Sequence, residues 1–281
     1  MRGRGQQGMR ARESLVGRML SQGTRVKRAV LAALMLALVL GTAAGPARAA
    51  LLDSGLDLVT GNDFAPFTGE SLPQGGMLTE VVLGAFKAVG LGYEVRFMPW
   101  KRGYDGVVAG KYLGSFPYVR TPEREAEVLY SDPLMEVRQF VYLSARTPMT
   151  FRGPQDFKGR SVCAPVGYAL PAELNAMVAN GDLVRESPAD LPACVRMVAT
   201  DRVDAFIIDE FTGQAAVAAA VAERDILVAD QPYERVGQHL VLSRANPEAP
   251  AVMAAFNSGL KKLKESGAFD AIVKRHLGRS R

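Results

Sequence analysis

Strand-like and helix-like segments alternate along the chain from residue 56, and this alternation restricts the fold more than any other feature. LDLVT (56–60) is a short apolar run followed by a loop with Gly, Asn and Pro, which is typical of a buried strand. Met77, Val81 and Ala85 then recur every four residues, which predicts a helix that ends at Gly90. The next predicted elements are a strand at 93–97, a helix at 100–110 and a strand at 113–118. This order predicts a mainly parallel sheet covered by helices.

The same alternation starts again after residue 137. VDAFIID (203–209) is an almost continuous apolar run, as expected for a strand that is buried on both faces. Ser187 and Pro188 have the residue types of a helix N-cap and first helical position, and Asn246 with Pro247 predicts the start of a long helix. The other elements predicted here are strands at 138–145, within 157–167 and at 237–243, and a last helix at 269–277. The chain thus contains two α/β units and a C-terminal remainder.

Residues 1–49 have the three parts of a secretory signal peptide. A basic segment (25–28) precedes an uncharged apolar run (29–40), and a small-x-small pattern ends at Ala49. The apolar run is shorter than the roughly 20 residues that a membrane-spanning helix needs. We therefore predict cleavage before Ala50, export to the periplasm and a mature chain that does not span a membrane.

The charge distribution argues against a nucleic-acid partner. Residues 1–49 hold nine of the 34 Lys and Arg and one of the 29 Asp and Glu, so 25 basic and 28 acidic residues remain after them. The excess of positive charge therefore belongs to the predicted leader, and the mature chain is slightly acidic. The sequence also lacks a phosphate-binding glycine loop, the Cys/His spacing of a zinc site and a serine-hydrolase elbow. No metal or cofactor is predicted.

Four short stretches form an ordered set of motifs. They are DFAPFTGE (63–70), TPERE with the later LYSDPL (121–134), FKGRSVCAPVG (157–167) and DRVDAFIIDE (201–210). In order and separation they resemble the extracytoplasmic solute-binding proteins of ABC transporters, in the branch that binds polar amino acids. The C-terminal LKKLKESGAFDAIVKRHLG also resembles the last two helices of that family, so the likeness spans about residues 51–278.

The resemblance implies a definite architecture. Proteins of this family have the type II periplasmic binding protein fold, in which two α/β sandwich lobes, joined by two hinge strands, close on a ligand. Lobe 1 would be discontinuous and comprise residues 50–137 and 236–281. Lobe 2 would comprise residues 138–235.

The resemblance also assigns two charged residues to the ligand. Arg124 matches the arginine that binds the ligand carboxylate, a task that suits the planar fork of a guanidinium. Asp209, at the end of a predicted buried strand, matches the aspartate that binds the ligand ammonium. The local sequence alone leaves alternatives open: Arg124 could pair with Glu123 or Glu125 in solvent, and Asp209 could cap a helix. Glu210 is the neighbouring alternative carboxylate.

Aromatic residues and a glycine complete the predicted ligand site. Phe64 matches an aromatic position that packs over the ligand in the family. Gly167 and Tyr168 follow the first strand of the second lobe, where a glycine lets backbone N–H groups approach a carboxylate. Trp100 and Tyr118 are further candidates. For Phe64, Trp100 and Tyr118, packing in the core is the alternative.

The sequence departs from the amino acid-binding pattern at three places. Val119 and Ala169 stand where these proteins commonly carry a hydroxyl side chain, and GKYLGSFPY (110–118) lacks the usual aspartate. Each change removes a hydrogen bond to the ligand backbone, so the ligand specificity stays open.

The two cysteines, Cys163 and Cys194, both lie in the part of the chain that is predicted to be exported. An oxidising compartment favours disulfides. Cys163 is on a predicted strand, and Cys194 shares the inward face of a predicted helix with Leu191 and Val198, so we expect a disulfide between them. Two buried free thiols are the alternative.

The predicted function is a monomeric periplasmic binding protein, not an enzyme. It would capture a small polar solute, an amino acid or a related carboxylate, by hinge closure and deliver it to an inner-membrane ABC permease. The main alternative is a periplasmic dehydratase on the same fold, of the prephenate or arogenate type, with Glu210 as proton donor. A sensor component is less favoured, because no kinase or transmembrane segment follows in the sequence.

Overall fold

The computed structural model describes residues 57–278, so the predicted signal peptide lies outside the described residues. Ten strands lie in this part: β1 (Leu58–Thr60), β2 (Val95–Phe97), β3 (Gly114–Tyr118), β4 (Val128–Tyr130), β5 (Met135–Ser144), β6 (Arg160–Cys163), β7 (Leu183–Glu186), β8 (Ala205–Asp209), β9 (Ile226–Val228) and β10 (Glu234–Ser243). The α-helices of this part are α1 (Met77–Lys87), α2 (Trp100–Val108), α3 (Pro122–Glu125), α4 (Ala172–Ala179), α5 (Leu191–Ala199), α6 (Glu210–Ala219), α7 (Ala249–Glu265) and α8 (Ala268–Leu277). Short 3₁₀ helices span Pro73–Gly75 and Pro154–Phe157.

Two long strands connect two groups of shorter ones. The strand order is β2-β1-β3-β10-β5-β8-β6-β7, with β4 paired to β10 and β9 paired to β5. The second half of β10 pairs with β3 and β4, whereas its first half pairs with β5. The predicted architecture of two α/β lobes joined by two strands is therefore confirmed. The lobe boundaries at 137/138 and 235/236 fall within β5 and β10 and stay predictions.

The sheet as a whole is mixed, and the predicted parallel arrangement holds for the short strands β1–β3 and β6–β8 but not for the two long strands. β1 runs parallel to β2 and β3, and β6 runs parallel to β7 and β8. The long strands β5 and β10 are antiparallel to every strand with which they pair. β5 enters the second group of strands, and β10 enters the first, from the edge at which the parallel strands end. Each long strand is therefore antiparallel to the strands that it joins.

Two helices begin later than predicted, for one physical reason. The N-cap of α5 is Asp190, whose carboxylate accepts a hydrogen bond from Ala193 N at 2.8 Å. A helix that began at Pro188 would place Pro192 in its interior, where proline lacks the N–H and clashes with the preceding turn. Likewise α7 begins at Ala249, with Pro250 in its first turn. The second proline determines the start of each helix.

Each lobe has its own apolar core. In the first lobe, the rings of Phe86 on α1 and Phe256 on α7 pack with centroids 4.8 Å apart. In the second lobe, buried side chains of β5, β6 and α4, among them Val141, Val162 and Leu174, form a continuous cluster. The two lobes thus have separate apolar cores. Between residues 57 and 278, no helix is both long and apolar enough to cross a membrane.

The predicted disulfide is present. Cys163 on β6 and Cys194 on α5 are bonded, with their Cα atoms 5.5 Å apart. The bond ties the inward face of α5 to the sheet of the second lobe.

Candidate functional site

The seven residues predicted to contact a ligand line the same cavity, which lies between the two lobes and has a volume of about 50 Å³. β1, β3, β6 and β8 all end at this edge of their sheets, and ligands of open α/β sheets bind at such an edge. The seven are Phe64, Trp100, Tyr118, Arg124, Gly167, Tyr168 and Asp209. The structure thus brings together every residue of the predicted set.

Arg124 faces the cavity without a carboxylate partner. Its guanidinium donates to the carbonyl oxygens of Val119 at 3.2 Å and Gly167 at 2.8 Å. It also lies 4.9 Å from the ring centroid of Tyr118, within reach of a cation–π contact. Among the ion pairs of the described residues none includes Arg124, and Glu125 pairs instead with Arg120 at 3.1 Å. The sequence alternative of a solvated Arg124 paired with its neighbours is therefore wrong.

Asp209 caps a helix with one carboxylate oxygen, and its other carboxylate oxygen has no partner. Oδ1 caps helix α6 by accepting from Phe211 N at 3.1 Å and Thr212 N at 2.9 Å. Oδ2 is buried and has no hydrogen-bond partner among the described residues. Burial raises the pKa of Asp209 to about 6, and the charge of Glu210 acts in the same direction. Asp209, which lines the cavity, therefore has a buried carboxylate oxygen that lacks a donor.

Glu210, the alternative carboxylate, is hydrogen-bonded to Arg138. Its carboxylate accepts from Arg138 Nε at 3.1 Å and from Arg138 N at 2.7 Å. Glu210 is not among the residues that line the cavity. Of the two carboxylates, Asp209 is the one that lines the cavity.

The aromatic residues form one wall by packing against each other. Phe64 lies edge-on to Trp100 at 5.8 Å and to Tyr168 at 6.1 Å, and Trp100 lies edge-on to Tyr118 at 5.8 Å. Such geometry is favourable between aromatic rings. The core-packing alternative and the cavity-lining prediction are both met, because these rings are largely buried and still border the cavity.

Gly167 permits the close approach of the lobes. Its φ is +94°, and a Cβ atom there would lie 2.8 Å from Lys101 N and from Trp100 Cβ at the start of α2. Any larger residue would be strained and would push the second lobe away from the first. Glycine is thus required at this point of contact.

Asp63 is a residue of this region that the sequence analysis did not single out. Its carboxylate accepts from Trp100 Nε1 at 2.6 Å within the first lobe. It also accepts from Leu191 N at 2.9 Å, at the N-terminus of α5 in the second lobe. A carboxylate at a helix N-terminus is stabilised by the helix dipole. Asp63 therefore bridges the two lobes beside the cavity.

Two glutamines were also missed. Gln139 on β5 and Gln238 on β10 line the cavity from the two connecting strands. A period-2 pattern shows which residues share a face of a strand, but it does not show that this face meets a cleft. No sequence signal separates these glutamines from ordinary polar strand residues. Val119 and Ala169, the two departures from the family pattern, line the cavity as well.

The buried carboxyl of Asp209 should make the stability of the folded protein depend on pH. Because its folded pKa of about 6 lies above the ordinary value of 3.8, its contribution to stability is complete below about pH 4 and is lost as the pH rises through about 6. Asp209→Asn keeps a side-chain oxygen for the cap and removes this titration. We expect the variant to lose less stability than the wild type between about pH 4 and about pH 6.

Urea unfolding at a series of pH values measures this difference. Asp190→Asn is the matched control, because it alters the N-cap carboxylate of α5 outside the cavity. If the profile of Asp209→Asn runs parallel to that of the wild type over this range, the assignment of the titration is wrong.

The part of the chain that the structure describes contains no cluster of three or more His, Cys, Asp or Glu side chains that could hold a metal ion. The polar side chains that line the cavity are instead those of one arginine, one aspartate, two glutamines and two tyrosines.

The fold is shared with several solved structures of low sequence identity. A histidine kinase sensor domain with similarity to periplasmic binding proteins superposes with a TM-score of 0.69 at 17% identity, covering 79% of this chain and 96% of that chain. A mutant of ArgBP from T. maritima gives a TM-score of 0.66 at 19% identity, covering 83% and 100%. ArtJ from Geobacillus stearothermophilus, described as an arginine-, lysine-, histidine-binding protein, gives 0.65 at 18% identity, covering 80% and 96%.

No curated protein matches the chain in sequence. The family model for bacterial extracellular solute-binding proteins, family 3, matches residues 56–279, which is most of the chain. The match covers both lobes and the cavity between them. The chain therefore belongs to the bacterial extracellular solute-binding proteins of family 3.

Proposed function

We propose that this protein captures a small solute that carries both a carboxylate and an amine, an amino acid or a related compound, and delivers it in the periplasm to an inner-membrane ABC permease. One observation carries the proposal: the cavity is lined by Arg124, a cation without a carboxylate partner, and by Asp209, whose buried Oδ2 lacks a donor. Burying a charged group without a partner is costly. A zwitterionic ligand supplies the missing partner to both.

The pose follows from the two charges. The ligand carboxylate would accept two parallel hydrogen bonds from the guanidinium of Arg124. It would replace the backbone carbonyl oxygens that accept from this guanidinium in the structure. The ligand ammonium would donate to Asp209 Oδ2, and the rings of Phe64 and Trp100 would cover its carbon atoms. Hinge bending of β5 and β10 would open and close the cavity.

Two further observations support the role. Proteins of similar fold include ArgBP and the arginine-, lysine-, histidine-binding protein ArtJ. The N-terminal sequence has the pattern of a signal peptide, and an exported protein of this family fits uptake across the inner membrane.

A thermal-shift screen of amino acids, amines and small organic acids tests the proposal. A ligand that binds only the folded protein raises its stability by RT ln(1 + [L]/Kd). We expect compounds with both a carboxylate and an amine to raise the melting temperature, and compounds with only one of these groups to raise it less. A screen in which no carboxylate-bearing compound stabilises the protein would exclude the proposed ligand class.

Incubation with prephenate or arogenate tests the enzymatic alternative. We expect no turnover, because Glu210, the predicted proton donor, is bonded to Arg138 and lies outside the cavity lining. Turnover of either compound at a catalytic rate would favour the dehydratase over the carrier.

Asp63→Ala should weaken closure without removing a group that lines the cavity. The variant loses the carboxylate that joins Trp100 Nε1 to Leu191 N across the lobes. A hydrogen bond to a charged group contributes about 1.5–3 kcal/mol, so we expect faster ligand release and a larger radius of gyration of the ligand-free protein in small-angle X-ray scattering. Asp132→Ala, at an exposed aspartate away from the cavity, is the control. Identical scattering and release rates for Asp63→Ala and the wild type would contradict this role.

A further inference from the structure

A groove of about 410 Å³ adjoins the cavity, and its volume is far larger than that of the cavity. The two spaces share three lining residues, Val119, Gln139 and Ala169. The groove therefore lies next to the cavity, and these three residues stand at the junction of the two spaces.

Helix α4 forms one wall of the groove. Ala172, Ala176 and Ala179 lie on the same face of this helix, line the groove and are exposed. The opposite wall consists of Glu234 and Val236 on β10 and of the segment 119–123. Small side chains on α4 leave the groove wide.

Gln139 stands where the groove meets the cavity. It is only 9% exposed, and no hydrogen bond of the described residues involves its side-chain amide. In the register of β5 and β8 it lies directly opposite Asp209, so the two side chains share one face of the sheet and are neighbours. Because Gln139 lines both the cavity and the groove, its amide can form a hydrogen bond with a ligand group at the junction.

The other two residues of the junction have short apolar side chains. Val119 and Ala169 are apolar and lack the hydroxyl groups that would draw a ligand backbone toward them. Gln139 is thus the polar side chain of the junction, and its amide can both donate and accept a hydrogen bond.

We propose that the ligand site continues past Gln139 into this groove, and that the ligand is an α-amino acid whose side chain is extended by an amide group that bonds to Gln139. This inference rests on the proposed function, because the amino acid head of the ligand occupies Arg124 and Asp209. The extended part of the side chain lies against the alanine face of α4.

Calorimetric titration with three probes tests the inference: L-alanine, γ-L-glutamylglycine and Nε-acetyl-L-lysine. L-alanine has the head alone, whereas the other two have the head and an amide-containing extension. We expect each extended probe to bind about tenfold or more tightly than L-alanine. Ala176→Leu, which narrows the groove, should lower the affinity for the extended probes by about tenfold and leave that for L-alanine within about twofold. Gln139→Ala should lower the affinity for the extended probes more than the affinity for L-alanine.

Ala218→Leu is the matched control, because it alters an exposed alanine of α6 that lines neither the cavity nor the groove. It should change no affinity. If L-alanine binds as tightly as the extended probes and Ala176→Leu changes none of the affinities, the groove inference is overturned while the proposed function stands. If neither extended probe binds, the inference is overturned, and the thermal-shift screen decides the proposed function separately.

Discussion

Arg124→Ala should abolish the binding of carboxylate ligands and leave the fold intact. Removing one partner of a desolvated charge pair costs about 2–5 kcal/mol of binding free energy. The fold should survive, because the guanidinium of Arg124 bonds only to two backbone carbonyls and forms no ion pair among the described residues. Calorimetric titration with the tightest ligand from the screen measures the affinity, and circular dichroism checks the fold.

Two further variants make this test specific. Arg124→Lys keeps the charge and loses the planar fork, so we expect an affinity between those of the wild type and Arg124→Ala. Arg102→Ala removes an exposed arginine of α2 that does not line the cavity, and it should bind like the wild type. If Arg124→Ala binds the same ligand with unchanged affinity, Arg124 does not hold the carboxylate.

Site residues at the ends of the parallel strands could be predicted from the sequence, because the position of a strand end can be recognised in it. Arg124 and Gly167 follow strands and Asp209 ends one, and parallel strands of this kind end at the same edge of a sheet. The ordered motifs then selected these residues from the other polar residues of their loops. Local patterns and chain order together were sufficient for this part of the site.

Residues on the connecting strands could not be predicted in the same way. Gln139 and Gln238 line the cavity because β5 and β10 cross between the lobes, and this crossing depends on pairings between distant segments. Alternation along a strand does not identify the partner strand or the register. For the same reason the antiparallel direction of β5 and β10 was missed.

Asp63 shows a different limit of the sequence. It lies in the recognised DFAPFTGE motif, yet its partners Trp100 and Leu191 are distant in the chain. The sequence around a loop carboxylate does not indicate that it contacts the N-terminus of a helix in the other lobe. Only the closed arrangement of the lobes reveals the bridge.

Removing the disulfide should produce the largest loss of stability among the variants considered. The bond closes a loop with a sequence separation of 31, and the chain-entropy estimate for a loop of this length is about 3–4 kcal/mol. Both sulfur atoms belong to buried residues, so the bond is protected from reductants while the protein is folded. We expect the double variant Cys163→Ala with Cys194→Ala to unfold at a clearly lower urea concentration than the oxidised wild type.

The single variant Cys194→Ala separates the covalent bond from the packing of the side chains. Like the double variant, it cannot form the bond. The unfolding free energies of the two variants should therefore lie within about 1 kcal/mol of each other, because they differ only in the buried side chain at position 163. Because α5 carries both Cys194 and the Leu191 N–H that contacts Asp63, loosening this helix should also speed ligand release. If the double variant unfolds at the same urea concentration as the oxidised wild type, the bond does not stabilise the second lobe.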